Sequence, residues 1–288
     1  MVFAYLILAH KNPLQLYRLI KAIMDDNVFV FVHIDQKSYL DDFKEVLNSL
    51  DNVILSTKQK QVTWGGFSMI EATLLLIKTM YDSQIQPDFI HLISGQDFPI
   101  VDNATIFDFF NKHSKNNFIE LHQMPIPEFE GDGGMRRILY KWFIEEEGIS
   151  RAIKFVNLQE ERGFIRSFLP GIIPYKGSQW WSLTGECVQW IYETCKPGQQ
   201  VYDFYKYSFI PDEMFFQTLL VNSRWNETII NDNKRCIDWG KNDHDHPKIW
   251  KTDDFDRLVA SGKLFARKFD ESIDKKIIDQ LEKFTKTK

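Results

Sequence analysis

The stretch "VFAYLILAHKNPLQLYRLIKAIMDDNVFVFVHID" (residues 2–35) decides the fold class. Its uninterrupted apolar run at residues 2–8 predicts a buried strand. Asn12 is placed to cap a helix that begins at Pro13, and the apolar residues that follow recur on one helical face. A second apolar run at residues 27–35 predicts another buried strand. A strand, a helix and a strand in this order predict a right-handed crossover in a parallel sheet.

The same alternation continues through the first hundred residues. A helical stripe occupies residues 40–50, a short strand 52–55, a mostly buried helix 68–80 and a fourth strand 88–94. Strands that alternate with helices predict an α/β fold with a mainly parallel central sheet flanked by helices. No internal repeat or linker interrupts residues 1–288, so a single domain is expected.

Beyond residue 120 the pattern is less regular. The turn-rich stretch 124–137 predicts a loop, and residues 140–167 have the composition of a charged amphipathic helix. "KGSQWWSLT" (176–184) predicts a strand that is entered by a glycine turn. Pro211 begins a further predicted helix, and the apolar spacing between Ile273 and Phe284 predicts a last one.

Composition excludes several classes of protein. The formal net charge of −5 and a pI near 5.8 argue against a nucleic-acid partner. Three cysteines without paired spacing predict neither a disulfide framework nor a zinc site, and favour a reducing compartment. The apolar N-terminus lacks a basic leader and is too short to span a bilayer, so we expect neither a signal peptide nor a membrane span.

Polar residues stand where the predicted parallel strands end. His10 and Lys11 follow the first strand, His33 and Asp35 end the second, and "SGQD" (94–97) follows the fourth. Ligands of such sheets bind beyond the carboxyl ends of the strands. Neither a GxGxxG nor a GxxxxGK[ST] pattern is present, which disfavours a dinucleotide fold or a P-loop.

The segment "LFARKF" (264–269) holds two adjacent cations, Arg267 and Lys268, between apolar residues. Arginine offers a planar fork and lysine a mobile point charge, a combination that suits a phosphate. The alternative is that each cation pairs with an acidic neighbour such as Asp270 or Glu271. Spacing alone leaves both open.

Six motifs occur in an order and at a spacing that resemble a known family. They are "VHIDQKSYL" (32–40), "VTWGGFSMI" (62–70), "HLISGQDFPI" (91–100), "KGSQWWSLT" (176–184), "IPDEMFFQTLL" (210–220) and "LFARKFD" (264–270). The family is that of the core 2/I-branching N-acetylglucosaminyltransferases and peptide O-xylosyltransferases, and "WGG" and "FARKF" resemble the xylosyltransferase branch more closely. The resemblance implies a GT-A-type nucleotide-sugar fold, a UDP-sugar donor, inversion at the anomeric carbon and no required divalent metal. It also implies a nucleotide-binding half (1–120) and an acceptor-binding and catalytic half (121–288).

The resemblance also implies roles for individual residues. The basic pair would bind the donor diphosphate in place of a metal, and Glu213 would be the base that takes the acceptor proton. Without the family, Asp212 and Glu213 would merely complement a helix dipole. The implied set is diphosphate-binding Arg267, Lys268 and Lys248; nucleotide-binding His10, Asp35, Trp64, Gly65 and Asp97; and acceptor-binding Gln179, Trp180 and Trp181.

Two details refine this set. By this resemblance, the xylosyltransferases carry Asp at the position of Gln179. The glutamine removes an acidic acceptor contact and argues against a protein-serine acceptor. Trp180 and Trp181 are neighbours in a predicted strand, so one should line the cleft while the other packs inside.

Two DxD patterns suggest a metal site as the alternative. "DFD" (254–256) lies in an expected first helical turn, where acids complement the helix dipole. "DHD" (243–245), with His244 and His246 beside it, stands far from the fourth strand. The prediction is therefore no metal and no cofactor other than the UDP-sugar co-substrate.

Together these features predict an inverting, metal-independent glycosyltransferase that acts on a hydroxyl of a glycan or lipid-linked glycan. The membrane anchor and stem of the animal relatives are not seen in residues 1–288, which favours a cytoplasmic enzyme of surface polysaccharide biosynthesis. Two alternatives stay open. A glycoside hydrolase would need a second carboxylate beside Glu213, and a catalytically silent carbohydrate-binding protein is supported only by the aromatic content.

Overall fold

The computed structural model describes residues 1–128, 131–240 and 246–286. Its strands are β1 (Phe3–Ala9), β2 (Val28–Ile34), β3 (Val53–Leu55), β4 (Phe89–Ser94), β5 (Asp97–Pro99), β6 (Asn117–Ile119), β7 (His122–Gln123), β8 (Tyr175–Lys176), β9 (Trp181–Thr184), β10 (Ile229–Ile230), β11 (Arg235–Ile237) and β12 (Phe265–Arg267). Its α-helices are α1 (Pro13–Ile23), α2 (Leu40–Leu47), α3 (Ser68–Asp82), α4 (Asn103–Lys112), α5 (Arg136–Leu139), α6 (Ile144–Glu147), α7 (Ile149–Glu161), α8 (Gly185–Thr194), α9 (Gln200–Tyr205), α10 (Phe215–Val221), α11 (Phe255–Val259) and α12 (Lys275–Lys286). Short 3₁₀ turns span Pro211–Glu213, Arg224–Thr228 and Thr252–Asp254.

The described residues form a central sheet of seven strands in the order β10-β6-β9-β4-β1-β2-β3. β1 pairs in parallel with both β2 and β4, and β2 pairs in parallel with β3. β9 runs antiparallel to β4 and β6. The predicted α/β class with a mainly parallel sheet flanked by helices is therefore confirmed, while the division into two functional halves stays a prediction.

The first strand is the centre of two apolar cores. Every residue of β1 is buried, and alternate side chains point to opposite faces of the sheet. One face packs on α1 and α12 and the other on α3 and α8. The predicted start of α1 at Pro13 is confirmed, but the predicted side-chain cap is wrong, because the Asn12 amide donates to Asp270 (3.0 Å).

The second half departs from its predicted elements. The helix predicted over 140–167 is wrong as a continuous element: α6 ends at Gly148, whose positive φ of 71° breaks the helix before α7. The helix expected from Pro211 begins as a 3₁₀ turn, and α10 starts only at Phe215. The strand expected over 176–184 is divided between β8 and β9.

A small second sheet fixes the position of the basic pair. β12 pairs in parallel with β11 and antiparallel with β5, in a register that places Arg267 opposite Asp97. Because β5 follows β4 directly, this pairing holds residues 267–268 at the carboxyl end of the central sheet. Among the described helices, none combines the length and the apolar composition that a membrane crossing needs.

Candidate active site

A cleft with a volume of about 630 Å³ lies beyond the carboxyl ends of β1 and β4. Arg267 and Lys268 line one side, and Asp212 and Glu213 line another. A smaller pocket of about 100 Å³ adjoins it and shares His10, Gln179, Trp180 and Arg267 with the cleft. Cations and carboxylates that are distant in the sequence thus meet around one cavity.

Arg267 is held by buried partners. Its guanidinium donates to the Asp97 carboxylate (3.0 Å) and to the Ser94 hydroxyl. The Asp97 side chain is fully buried and also accepts the Ser94 backbone N–H (2.8 Å). Arg267 thus pairs with a carboxylate of the protein, as that alternative expects, but the partner is Asp97 and not the sequence neighbours Asp270 or Glu271. Asp97 as a nucleotide contact is corrected too, because its carboxylate is buried beneath the arginine.

Lys268 differs from its neighbour. Across the described parts of the chain, no carboxylate lies within ion-pair distance of its ammonium group, whereas Lys11 pairs with Asp270 (2.6 Å). Burial, together with the charges of Arg267 and Lys11, lowers the pKa of Lys268. A lysine whose charge is opposed by its surroundings gains most from an anion, so this side of the cleft is suited to a phosphate.

Glu213 is held by two cations from distant segments. Its Oε2 atom accepts a hydrogen bond from Arg137 (2.8 Å) and lies 3.0 Å from the Lys176 ammonium. Because Glu213 lies in a 3₁₀ turn, these cations replace the helix N-terminus that was expected to stabilise the carboxylate.

Asp212 also lines the cleft, so the interpretation that it only complements a helix dipole is wrong. Burial and the neighbouring charge of Glu213 raise its pKa to about 7. At neutral pH this carboxyl group is therefore partly protonated, beside a carboxylate that is held by two cations.

The residues at the strand ends face the smaller pocket. His10 lines both cavities, and desolvation together with the charges of Lys11 and Lys268 lowers its pKa, so its ring is neutral at pH 7. The Asp35 carboxylate is mostly buried and accepts the backbone N–H of Lys37 (2.8 Å) and Val62 (3.3 Å). Their roles in nucleotide binding stay predictions.

His33 has a structural contact as well as a place in that pocket. Its Nε2 atom accepts the backbone N–H of Lys60 (2.9 Å), which fixes the loop after β3. Burial lowers the pKa of the ring.

The paired tryptophans divide as adjacent strand residues should. Trp180 lines both cavities, and the guanidinium carbon of Arg267 lies 4.6 Å from its ring centroid. Trp181 is fully buried and packs its ring against Phe216, so its place among acceptor contacts is corrected. Gln179 lines the cleft, and its acceptor role stays a prediction.

The "WGG" motif forms part of the cleft rim. Trp64 is 48% exposed and packs edge-on against Phe209. Gly65 has a φ of 74°, and a Cβ atom there would lie 2.7 Å from the Phe209 ring. Only glycine fits this turn without displacing the aromatic ring.

Three functional residues were not found from the sequence. Arg137 and Lys176 hold Glu213, and Trp239, 46% exposed, faces the same cleft as Trp64. Lys176 was visible as the first residue of the "KGSQWWSLT" motif. Arg137 lies in the four-residue helix α5 and Trp239 in a loop, and neither segment is long or regular enough to give a periodic signal.

The Lys248 side chain does not line the cleft, although the Lys248 carbonyl accepts the Lys268 backbone N–H (3.4 Å). Lys248 pairs with Asp254 (2.6 Å) and does not line the cleft, so its assignment to the diphosphate is corrected. Asp254 ends a 3₁₀ turn and Asp256 lies in the first turn of α11, as the dipole interpretation predicts. "DHD" (243–245) lies outside the described residues. Within residues 1–128, 131–240 and 246–286, no group of three potential metal-ligating side chains converges.

Comparison with known proteins places the chain in a family. Human xylosyltransferase 2 is 28% identical over 97% of this chain and 33% of its own length, and xylosyltransferase 1 of Rattus norvegicus is 27% identical over 98% and 35%. The chain thus spans about a third of these relatives. Mouse xyloside xylosyltransferase 1 matches with a TM-score of 0.42 at 13% identity, over 92% of this chain and 97% of that one. The family model described as "Core-2/I-Branching enzyme" matches residues 3–258. Since this match covers most of the sequence, the chain belongs to the core-2/I-branching enzyme family, as its six motifs predict.

Proposed function

We propose that this chain is a glycosyltransferase that moves a sugar from a UDP donor to a hydroxyl of a glycan. The observation that carries the proposal is the cleft in which two cations lie on one side and Glu213 on another: Arg267 is held by Asp97, and Lys268 has no ion pair with a described residue. Membership of the core-2/I-branching family supports it. We propose further that transfer inverts the anomeric carbon and needs no divalent metal ion.

The basic pair suits a departing diphosphate. As the bond to the sugar breaks, negative charge grows on the β-phosphate. Arg267 cannot swing away, because Asp97 and Ser94 hold its guanidinium, while the Lys268 ammonium has no competing carboxylate in the described chain. Two cations that are already in place stabilise this charge without reorganisation, which is the contribution a metal ion makes elsewhere.

The nucleoside is assigned to the smaller pocket. Its walls include the neutral ring of His10 and the carboxylate of Asp35, which suit a base and ribose hydroxyls respectively. In this proposal the nucleoside lies at the carboxyl end of β1 and the diphosphate lies beside Arg267. His10 and Arg267 each line both cavities, so the two sites adjoin.

Glu213 is assigned as the base. Arg137 and Lys176 hold its Oε2 atom, and in this proposal Oε1 receives the proton of the acceptor hydroxyl. An inverting transfer requires one base to accept the hydroxyl proton while UDP leaves from the opposite face of the sugar. The two cations act on the orientation of this carboxylate and do not themselves take the proton.

The acceptor is assigned to the open side of the cleft. Trp64 and Trp239 expose their rings there, and flat apolar rings suit the faces of pyranoses. Gln179 adds a neutral amide where an acidic contact would select a cationic or serine-containing acceptor. We propose a glycan or lipid-linked glycan as the acceptor at this surface, and a cytoplasmic role in surface polysaccharide biosynthesis.

A glycoside hydrolase is the second candidate, because the structure brings a second carboxyl group, that of Asp212, to the cleft beside Glu213. Asp212 has a pKa of about 7 and borders the same cleft as Glu213, so one could donate and the other accept a proton. Release of free sugar from a glycan without any UDP-sugar would favour this function.

A ligand panel tests the proposal directly. UDP and UDP-sugars should raise the melting temperature in the presence of EDTA, whereas ATP and NAD should not. The UDP-sugar with the largest shift should then support transfer to glycan acceptors in EDTA. Equal shifts from all nucleotides, or transfer that returns only after Mn²⁺ is added, would contradict the assignment of the basic pair.

A further inference from the structure

Ile210 has an unusual backbone conformation immediately before the turn that carries Glu213. Its φ of 50° and ψ of 55° lie in the left-handed region. Among the non-glycine residues with a positive φ in the described chain, it is the only β-branched one. The left-handed backbone brings the Cβ atom of an L-residue close to the following carbonyl oxygen, and a β-branched side chain tolerates this least.

Two features of the sequence favour extended backbone at this position instead. Isoleucine prefers strands, and the residue before a proline avoids helical backbone in favour of extended conformations. Pro211 follows Ile210 directly. A conformation that both residues disfavour persists only where the surrounding structure imposes it. Contacts with other parts of the chain must therefore hold Ile210.

A loop from the first half of the chain supplies such a contact. The Ile210 backbone N–H donates to the Gly65 carbonyl (2.9 Å), and the Ile210 carbonyl accepts the Glu213 N–H (3.3 Å). The Phe209 N–H donates to the Arg137 carbonyl (2.9 Å), and the Arg137 side chain also holds the Glu213 carboxylate (2.8 Å). Two consecutive hydrogen bonds thus connect the "WGG" motif to the backbone of Glu213. We call the bond between Ile210 and Gly65 the clamp.

Both glycines of the motif allow this close approach. A Cβ atom at Gly65, whose φ is 74°, would lie 2.7 Å from the Phe209 ring. A Cβ atom at Gly66 would collide with the Glu145 carboxylate, which accepts the Ser68 N–H (2.7 Å) at the start of α3. Without side chains, the loop can contact the turn on one side and α6 on the other.

We propose that the clamp keeps Ile210 in its left-handed conformation and thereby positions Glu213 in the cleft. Gly65 lines the cleft but not the smaller pocket assigned to the nucleoside, which supports a role towards Glu213 and not towards the nucleotide. Without the clamp, Ile210 would relax to extended backbone and carry Glu213 away from Arg137. That Glu213 is the base rests on the proposed function, whereas the clamp rests on the hydrogen bonds of the described residues.

Gly65→Ala tests the position of the base, with the UDP-sugar and glycan that the ligand panel identifies. An alanine at this positive φ is strained and displaces the Phe209 ring, so the turn should shift. A displacement of about 1 Å costs about 10²-fold in rate, so kcat should fall by about that factor. UDP affinity in calorimetric titration should stay close to wild type. A loss of UDP affinity as large as the loss of kcat would overturn the proposal, because Gly65 would then contact the nucleotide.

A pair of substitutions at Ile210 separates the backbone from the side chain. Ile210→Gly and Ile210→Pro both remove the side chain, but glycine adopts a positive φ readily, whereas proline lacks the N–H and fixes φ at about −65°. Relative to Ile210→Gly, Ile210→Pro should therefore show the loss of kcat that Gly65→Ala shows relative to wild type. Equal kcat values for the two Ile210 variants would contradict the clamp.

Hydrogen exchange tests the clamp without a transfer assay. In Gly65→Ala the backbone amides of residues 209–214 should exchange faster than in wild type, because the turn is held less firmly. Unchanged exchange would overturn the proposal.

Gly198→Ala is the matched control for backbone strain. Gly198 has a φ of 89°, does not line the cleft, and has no atom beyond its chain neighbours within 4 Å of where a Cβ atom would lie. Its substitution should lower the melting temperature but change neither kcat nor the exchange of residues 209–214. Equal changes in Gly198→Ala and Gly65→Ala would mean that lower stability alone explains them, and the proposal would be wrong.

The clamp and the proposed function fail in different ways. If wild type transfers no sugar, or if Glu213→Gln keeps its kcat, the proposed function is wrong, and the exchange of residues 209–214 still decides whether the clamp holds the turn. If Glu213→Gln is inactive while Gly65→Ala is as active as wild type, the base assignment stands and the clamp does not position it.

Discussion

The two charged sides of the cleft are built alike but anchored differently. Each contains two neighbouring residues of the same sign, Arg267 and Lys268 on one side and Asp212 and Glu213 on the other. In each pair one member has close ionic partners and the other has none in the described chain. Two adjacent residues of the same charge thus acquire different properties, because their ion-pair partners differ.

The difference lies in where those partners are. Arg267 binds Asp97, which is fully buried, so this ion pair belongs to the folded core. Glu213 binds Arg137 and Lys176, whose side chains keep 17% and 15% exposure at the cleft. Removing Arg267 should therefore damage the fold, whereas removing the charge of Glu213 should damage the chemistry. Four substitutions test this contrast.

The largest effect is expected for Glu213→Gln. Glutamine keeps the size of the side chain and an oxygen that accepts from Arg137, but it cannot take a proton as UDP leaves. Positioned base catalysis contributes about 10²- to 10⁴-fold, so kcat should fall by that factor. UDP affinity and the melting temperature should stay close to wild type. A variant that keeps more than about a tenth of the wild-type kcat would exclude Glu213 as the base.

Arg267→Ala should lower stability most. It leaves the Asp97 carboxylate buried without its partner, and breaking a buried pair costs about 3–5 kcal/mol. Since Arg267 is itself 17% exposed, the loss in the free energy of unfolding should lie near 3 kcal/mol. Urea denaturation measures it, and adding Asp97→Asn should recover part of the loss. Equal destabilisation by Lys268→Ala would remove the contrast between the two cations.

Lys268→Ala should weaken UDP binding with little effect on folding. A hydrogen bond to a charged group contributes about 1.5–3 kcal/mol, so UDP affinity should fall by roughly 10- to 150-fold. Affinity for uridine, which has no phosphate, should be unchanged in calorimetric titration. Lys78→Ala is the matched control, because that lysine pairs with Asp82 at the end of α3 and does not line the cleft. Equal losses for UDP and uridine would disprove the phosphate contact.

The sequence predicted the elements whose local pattern determines them. The apolar runs of β1, β2 and β4 and the stripes of α1 and α3 are formed by neighbouring residues, and all were predicted. The irregular second half was not, because α6 and α7 depend on a positive φ at Gly148 that hydrophobic periodicity does not reveal. Family resemblance supplied the residue pairs that the cleft brings together.

The partners of those residues required the structure. Asp97 meets Arg267 only through the register of β5 with β12, and Arg137 meets Glu213 across 76 positions of the sequence. Spacing had suggested near neighbours for the cations, Asp270 and Glu271, and a helix N-terminus for the acid. Long-range strand pairing and loop packing determine the actual partners, and neither can be predicted from a local sequence pattern.

A fourth test concerns Asp212, which has no ion pair with a described residue, and its outcome depends on pH. Burial and Glu213 raise the pKa of Asp212 to about 7, above the ordinary value of 3.8. Between these values the folded protein keeps a proton that the unfolded chain has released, so the stability contributed by Asp212 is complete below pH 3.8 and is lost as pH rises towards 7. The Asp212→Asn variant has no ionisable proton at this position, so its stability lacks this pH dependence.

Relative to wild type, the free energy of unfolding of Asp212→Asn should therefore increase by about 1.4 kcal/mol per pH unit between about pH 4.5 and 6.5, and level off above pH 7. Urea denaturation at several pH values measures this slope. Asp238→Asn is a suitable control, because the Gly240 N–H and Arg257 lower the pKa of Asp238, and its difference from wild type should be flat over the same range. A flat profile for Asp212→Asn as well would mean that Asp212 is ionised in the folded cleft. Both acids would then be ionised, and the two charged sides of the cleft would differ only in the ion-pair partners of their residues.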